Sequence, residues 1–371
     1  MKQANGFEII QLLDQLAPKN LAYDWDKVGL QIGSLNQKID QVLVTLDVVD
    51  EVVEEAIAMN AKLIIAHHPL IFNPLKSIQT DSYAGKLIKK LLLNDIAVYV
   101  AHTNLDIAKG GVNDLLAAHL KLKNTKHLQI THTETLKKLV VYVPVDYAEK
   151  VKEALGNAGA GAIGNYSHCL FSSNGIGQFL PNENANPTIG TRNILEETEE
   201  VRMETIVPES IEKKVISAMI KAHPYEEVAF DVIPLDNKGD SLGLGVVGKI
   251  EPMTLTNFAE HVKTSLEVPT VRVVGDMNRT IKKVAVLGGS GSKYIHQAVF
   301  AGADCLVTGD IDYHTALDAL ALGLTIIDPG HNVEKVMKQG VVDYLEEKSK
   351  SNGLDVKYAV SQIKTEPFQF V

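Results

Sequence analysis

The chain has little sulfur, little tryptophan and no run of like charge. Its 371 residues include two cysteines, Cys169 and Cys305, and one tryptophan, Trp25. Two thiols so far apart argue against a disulfide framework and predict reduced cysteines in a cytosolic protein. No basic tract is present and the net charge is -10, which argues against a nucleic-acid-binding surface. No stretch approaches the roughly 18 consecutive apolar residues of a membrane span. The start, Met1 to Gly6, has no apolar signal core. What is present, 45% hydrophobic and 22% charged residues, is the composition of a soluble globular protein. The length exceeds one ordinary core and predicts two or three domains.

The first part of the chain alternates strand and helix signals. Val42–Leu46, Lys62–Ala66 and Ile96–Ala101 read as strands. Helices are expected over Asp47–Asn60, over Ser82–Leu93 and from Gly110 to about Leu120. The last part repeats the rhythm, with strands at Lys283–Leu287, Asp304–Thr308 and Leu324–Ile327, each followed by a helix pattern. Such alternation predicts a parallel sheet covered by helices. The middle, from about Lys137 to Asp236, reads β-α-β-β-α-β, the ferredoxin-like order. A Gly/Asn/Pro-rich stretch, Ser172 to Arg192, interrupts it, and Asp236–Asp240 reads as a polar linker. The expected fold class is therefore α/β: two similar α/β lobes with a cleft between them, plus an inserted ferredoxin-like α+β domain. The expected boundaries are 1–130, 137–236 and 241–371.

Three apolar runs deliver imidazoles or carboxylates at their C-terminal ends. Lys62–Ala66 leads into His67 and His68, Val98–Ala101 into His102 and Asp106, and Leu324–Ile327 into Asp328, His331 and Glu334. In open α/β sheets that edge is where ligands bind. His, Asp and Glu converging there without cysteine read as a metal site. Adjacent residues of a strand point to opposite sides, so His67 and His68 suit two different ions better than one. His331 and Glu334 are spaced to share one helical face. Five donors, His67, His68, Asp106, His331 and Glu334, could hold two ions if one carboxylate bridges, with room left for water or substrate. His102 could orient a ligand or fill space. Asp328 suits a turn cap. Asp310 and His314, at another strand end on the same rim, suit acid/base or substrate contacts, or else an N-cap and a helix-surface histidine. The loop Gly288–Gly291 fits neither the dinucleotide nor the phosphate-loop pattern and reads as a plain strand-to-helix turn. No Gly-x-Ser-x-Gly elbow exists, and Cys305, inside an apolar run, reads as an inert core thiol.

Several segments together resemble one known family. They are Trp25 to Gly33, Ala66 to Phe72, Ala101 to Asp106, Thr308–Gly309–Asp310 with His314, and Gly330 to Glu334. The chain resembles the NIF-three-like family (NGG-one-interacting factor three), whose bacterial members are often described as homologs of GTP cyclohydrolase I type 2. The middle segment, including His223–Glu227, is similar to the P-II- and CutA-like insert of longer bacterial members. The resemblance implies a dinuclear centre, with His67 and His68 on separate ions, Asp106 and His331 completing separate sides and Glu334 bridging. It also implies a ring-shaped homohexamer. Some relatives space the last Glu four residues after its His; here the spacing is three.

The expected function is a metal-dependent hydrolase acting on a nucleotide or related heterocycle, with Asp310, His314 or His102 moving protons. The alternative is a non-catalytic protein that binds or delivers metal, its inserted domain sensing a small ligand. The expected cofactors are two divalent ions per chain. The donor set suits zinc, manganese, iron and cobalt alike, with zinc the first expectation.

Overall fold

The computed structural model describes residues 2–370. The chain is a mixed α/β fold with several sheets, and it divides into two compact units, residues 2–131 with 242–370 and residues 132–241.

The first unit holds two mainly parallel arrays. In one, Lys357–Val360, Gln41–Thr45, Leu63–Ala66 and Ala97–Val100 run parallel, and Gly29–Ile32 closes the edge antiparallel. Leu63–Ala66 and Ala97–Val100 are buried at every residue, as strands covered on both faces must be. In the other array, Thr280–Ser290, Cys305–Gly309 and Thr325–Asp328 run parallel, with Arg272–Val274 antiparallel at the edge. Helix starts are fixed locally. Ser82 caps Tyr83–Leu93 by accepting from the Gly85 N–H, and Asp312 caps Tyr313–Ala321. One continuous core joins both arrays, including Leu13, Leu63, Tyr99, Phe258, Ile326 and Leu345. A second cluster, with Leu43, Val53, Ile64 and Leu87, lies on the other face of the first array.

The segments expected as two separate lobes fall in one compact unit. The C-terminal strand Lys357–Val360 pairs with Gln41–Thr45, and Leu354–Asp355 pairs with Lys2–Asn5. The end of the chain thus completes sheets begun by its start. The local apolar pattern marks a strand but carries no record of its partner.

In the second unit, the helices Ala148–Ala158 and Glu212–Ala222 alternate with strands in the order β-α-β-β-α-β. Glu196–Pro208 pairs antiparallel with both Lys123–Pro144 and Leu170–Phe179. Val141, Val151, Val215 and Met219 are among its own core. The unit is wider than the expected 137–236, and Asp236–Asp240 is no linker: it lies within the strand Phe230–Thr254. Likewise Leu170–Phe179 runs into the Gly/Asn/Pro-rich stretch expected to separate the strands. In these strands antiparallel backbone pairing holds the chain while side chains stay exposed, so polarity misled the reading.

Candidate metal centre

Parallel strands place their C-terminal ends on one edge. Asp47, His67, His68 and His102 all follow such ends in the first array, and Asp310, His331 and Glu334 follow ends in the second. The two edges bring the donors together. His67, Asp106 and Glu334 form one group that could hold a metal ion, His68, His331 and Glu334 a second, and His67, His68 and His102 a third.

Glu334 is the centre of this arrangement. Its side chain is 4% exposed, and its Oε2 lies 3.0 Å from His68 Nε2, 3.2 Å from His331 Nε2 and 3.7 Å from His67 Nε2. Asp106 Oδ1 lies 3.5 Å from His67 Nε2. The expectation that His67 and His68 point to opposite sides is corrected here. The strand ends at Ala66, so both residues sit in the following bend, where alternation no longer applies. Their rings lie 5.1 Å apart and both Nε2 atoms approach the same carboxylate oxygen.

Each ring is held from behind. His67 Nδ1 lies 2.9 Å from the Ala101 carbonyl, which only accepts, so Nδ1 carries the proton of that bond. His68 Nδ1 lies 2.7 Å from Asp47 Oδ1, and His331 Nδ1 2.7 Å from Asp310 Oδ2. Three imidazoles therefore present Nε2 inward and anchor Nδ1 on an oxygen, the outer-layer arrangement of histidines that bind metal. His102 Nδ1 faces Asp26 Oδ2 at 3.1 Å without hydrogen-bond geometry. Asp26 is in turn fixed by the Thr103 N–H and hydroxyl.

The donor set fits a metal ion. His67 Nε2 and Asp106 Oδ1 are buried and have no hydrogen-bond partner. Leaving such atoms unpaired costs about 1–3 kcal/mol each, which a shared cation would remove. Two donors each about 2.1 Å from a tetrahedral ion are about 3.4 Å apart. The observed separations of 3.5 Å at His67–Asp106 and 3.2 Å at His331–Glu334 bracket that value.

Electrostatics follow from the same contacts. Burial opposes the charge on Glu334, but the three histidines hold its carboxyl well below the usual range. Burial also opposes a charged His68, yet Asp47 and Glu334 outweigh it and raise the ring to about 10. The bond to Glu334 raises His331 to about 9 despite burial. Burial pushes Asp106 up to about 6, partly offset by His67. Without metal the cluster is thus charged and proton-loaded.

The segment Gly288–Gly291 is not the plain turn expected: Gly288, Gly289 and Ser290 belong to the strand Thr280–Ser290. Gly289 has φ +63°, and a Cβ there would lie 2.7 Å from Glu334 Oε1. Only glycine lets the buried carboxylate approach. Asn113 ties this strand end to the first array by donating to the Asp106 carbonyl and accepting from the Gly288 N–H. Asp310 adopts φ +57°, a strained value for a residue with a side chain, while holding His331. His314 is exposed at the start of its helix, its N–H donating to Asp312, and belongs to none of the three donor groups. Asp328 accepts from the Gly330 and Ile311 N–H groups, as a turn cap should. Cys305 is buried in its strand, and burial pushes its thiol up to about 12. Asp47 and Asp26 are the residues sequence reasoning left without a role. Their only sequence signal is a carboxylate just past a strand end and one beside the lone tryptophan.

This is a mixed α/β protein with a cysteine-free histidine–carboxylate cluster at the meeting edges of two arrays, a site that could hold metal. The sequence pattern of the Duf34/NIF3 (NGG1p interacting factor 3) family matches residues 4–367, and the chain belongs to that family. It is 54% identical over 372 residues to the GTP cyclohydrolase 1 type 2 homolog of Halalkalibacterium halodurans, and 55% identical over 371 residues to that of Bacillus subtilis. Both comparisons cover 100% of each chain. A Bacillus cereus protein related to NIF3, of known crystal structure, superposes with a TM-score of 0.96 at 59% identity over 100% of both chains. Among the described residues, no helix is long and apolar enough to cross a membrane.

Proposed function

We propose that the protein is a dinuclear metal-dependent hydrolase acting on a nucleotide or related heterocycle. The observation that carries this reading is the shared carboxylate. Glu334 Oε2 stands between a His67–Asp106 side and a His68–His331 side, and each histidine is anchored through Nδ1. Zinc is the expected metal. Two bound dications would supply Lewis acidity and lower the pKa of water near neutral pH. The chain's own residues set the rest. Asp47, Asp310 and the Ala101 carbonyl fix ring orientation, so no reorganisation is needed at the reacting centre. We assign His102, whose ring lies 5.2 Å from that of His67, the role of holding or passing a proton. Asp310 does so less readily, since its Oδ2 is committed to His331. His314 needs substrate to reach it. Names carried by the Halalkalibacterium and Bacillus relatives point to GTP as the first nucleotide to test.

We further read the two arrays as two lobes, residues 132–241 as an inserted ferredoxin-like domain, and the assembly as a homohexamer in the cytoplasm. A second reading, metal binding or delivery without turnover, is favoured by one fact: none of the gathered donors comes from residues 132–241.

The test is turnover of GTP by metal-replete protein, following purine absorbance and release of formate or phosphate. The hydrolase reading expects activity that His67→Ala abolishes together with metal. Equal background rates in wild type and His67→Ala, across GTP and other nucleotides, would move the delivery reading ahead.

A further inference from the structure

A cavity of about 590 Å³ opens beside the cluster, bounded on one side by His68 and His331 and on another by the C-terminal segment from Thr365 to Phe370. That volume lies in the range that encloses a small-molecule ligand. The tail is there for a topological reason. Lys357–Val360 runs parallel to Gln41–Thr45, so the chain leaves that strand at the same edge that carries Asp47 and the histidines. Thr365 then donates its hydroxyl to Asp47 Oδ2, the carboxylate that anchors His68. Beyond it, Phe368 and Phe370 lie in the cavity wall while 71% and 56% exposed.

On the cavity lining stands Arg272. It sits opposite Asp328 in the edge strand pair, and its Nη2 binds Asp328 and donates to the Ile311 carbonyl at 2.8 Å. One nitrogen carries both contacts, and the side chain is 66% exposed. The guanidinium is therefore fixed in place with further N–H donors available. The cavity's carboxylates are already engaged: Asp47 by His68, Asp310 by His331, Asp328 by Arg272, and Glu366 by the Phe368 N–H.

We propose that this cavity is a binding site for a phosphorylated planar heterocycle, with Arg272 taking the phosphate and Phe368 stacking on the ring. With Nη2 engaged, the pinned guanidinium still offers its free Nη1 N–H donors to a phosphate as a charge-assisted contact. An exposed phenyl face suits stacking against a base. The site deepens the hydrolase reading by naming the substrate class and two residues that select it, and it stands on cavity geometry that needs no turnover.

The test is calorimetry with GMP, guanosine and orthophosphate on the purified full chain, with metal content measured on the same samples. GMP should bind more tightly than either fragment. Arg272→Gln should weaken GMP and orthophosphate roughly tenfold or more and leave guanosine unchanged. Phe368→Ala, on an exposed tail where folding is not at stake, should weaken GMP and guanosine roughly tenfold and leave orthophosphate unchanged. Neither should alter metal content. Wild type with full metal but no GMP binding, or GMP affinity untouched by both variants, overturns this site and leaves the metal centre standing. GMP binding that follows the expected pattern without nucleotide turnover overturns only the hydrolase reading. Protein with neither metal nor GMP binding overturns both.

Discussion

Glu334 is the residue whose removal separates a shared centre from a set of independent sites. Its Oε2 lies 3.0–3.7 Å from three imidazole nitrogens, and it belongs to two of the three donor groups. Asp106 belongs to one of those two groups and His331 to the other. If Glu334 bridges, the variants must differ in metal stoichiometry as well as affinity. Wild type should approach about two ions per chain, as expected of a two-metal site. Asp106→Asn and His331→Ala should each retain about one, because each strips one side and leaves the other its three donors. Glu334→Ala should fall close to zero, since both sides lose a ligand and the histidines lose the charge that gathers them. Elemental analysis by mass spectrometry after metal-replete dialysis reads this directly, with circular dichroism confirming that each variant is folded. A Glu334→Ala protein that keeps wild-type metal content would refute the bridging geometry. A wild type that never exceeds one ion would refute the dinuclear claim.

Asp47→Asn removes the carboxylate behind His68 without touching a proposed ligand, and should weaken metal binding about 10- to 100-fold in a chelator competition assay. Gly289→Ala forces a left-handed alanine, costing about 1–2 kcal/mol, and sets a methyl against Glu334 Oε1. Thermal melting should show a modest loss of stability, while metal content drops far more. At neutral pH, His68 and His331, raised to about 10 and 9, each carry a proton in metal-free protein that metal must displace. Calorimetry at pH 7.5 in buffers of different ionisation enthalpy should therefore show net proton release on metal loading, and affinity should fall as pH drops. The corresponding stability of chelated protein is complete below the unfolded histidine value, about 6.5, and is lost as pH rises through 9 and 10. A metal affinity independent of pH between 6 and 8 would contradict those protonation states.

Much of this protein was legible in the chain alone, because some physics is local. Near-continuous apolar runs such as Leu63–Ala66 announce strands buried on both faces, and Ser82 announces a helix start, whereas the cap of Tyr313–Ala321 is Asp312 and not Asp310. His67, His68, Asp106, His331 and Glu334 were readable as candidates because each follows such a run, and strand ends in α/β arrays share an edge. The tertiary structure decided everything that depends on which elements meet. Only it joins Lys357–Val360 to Gln41–Thr45, which brings the C-terminal tail beside the cluster. Only it turns His67 and His68 toward one carboxylate, because the strand ends one residue before them. The roles of Asp47, Asp26 and Gly289 are invisible in sequence for the same reason. Each acts on a residue between 21 and 76 positions away, and chain connectivity records no distance in space.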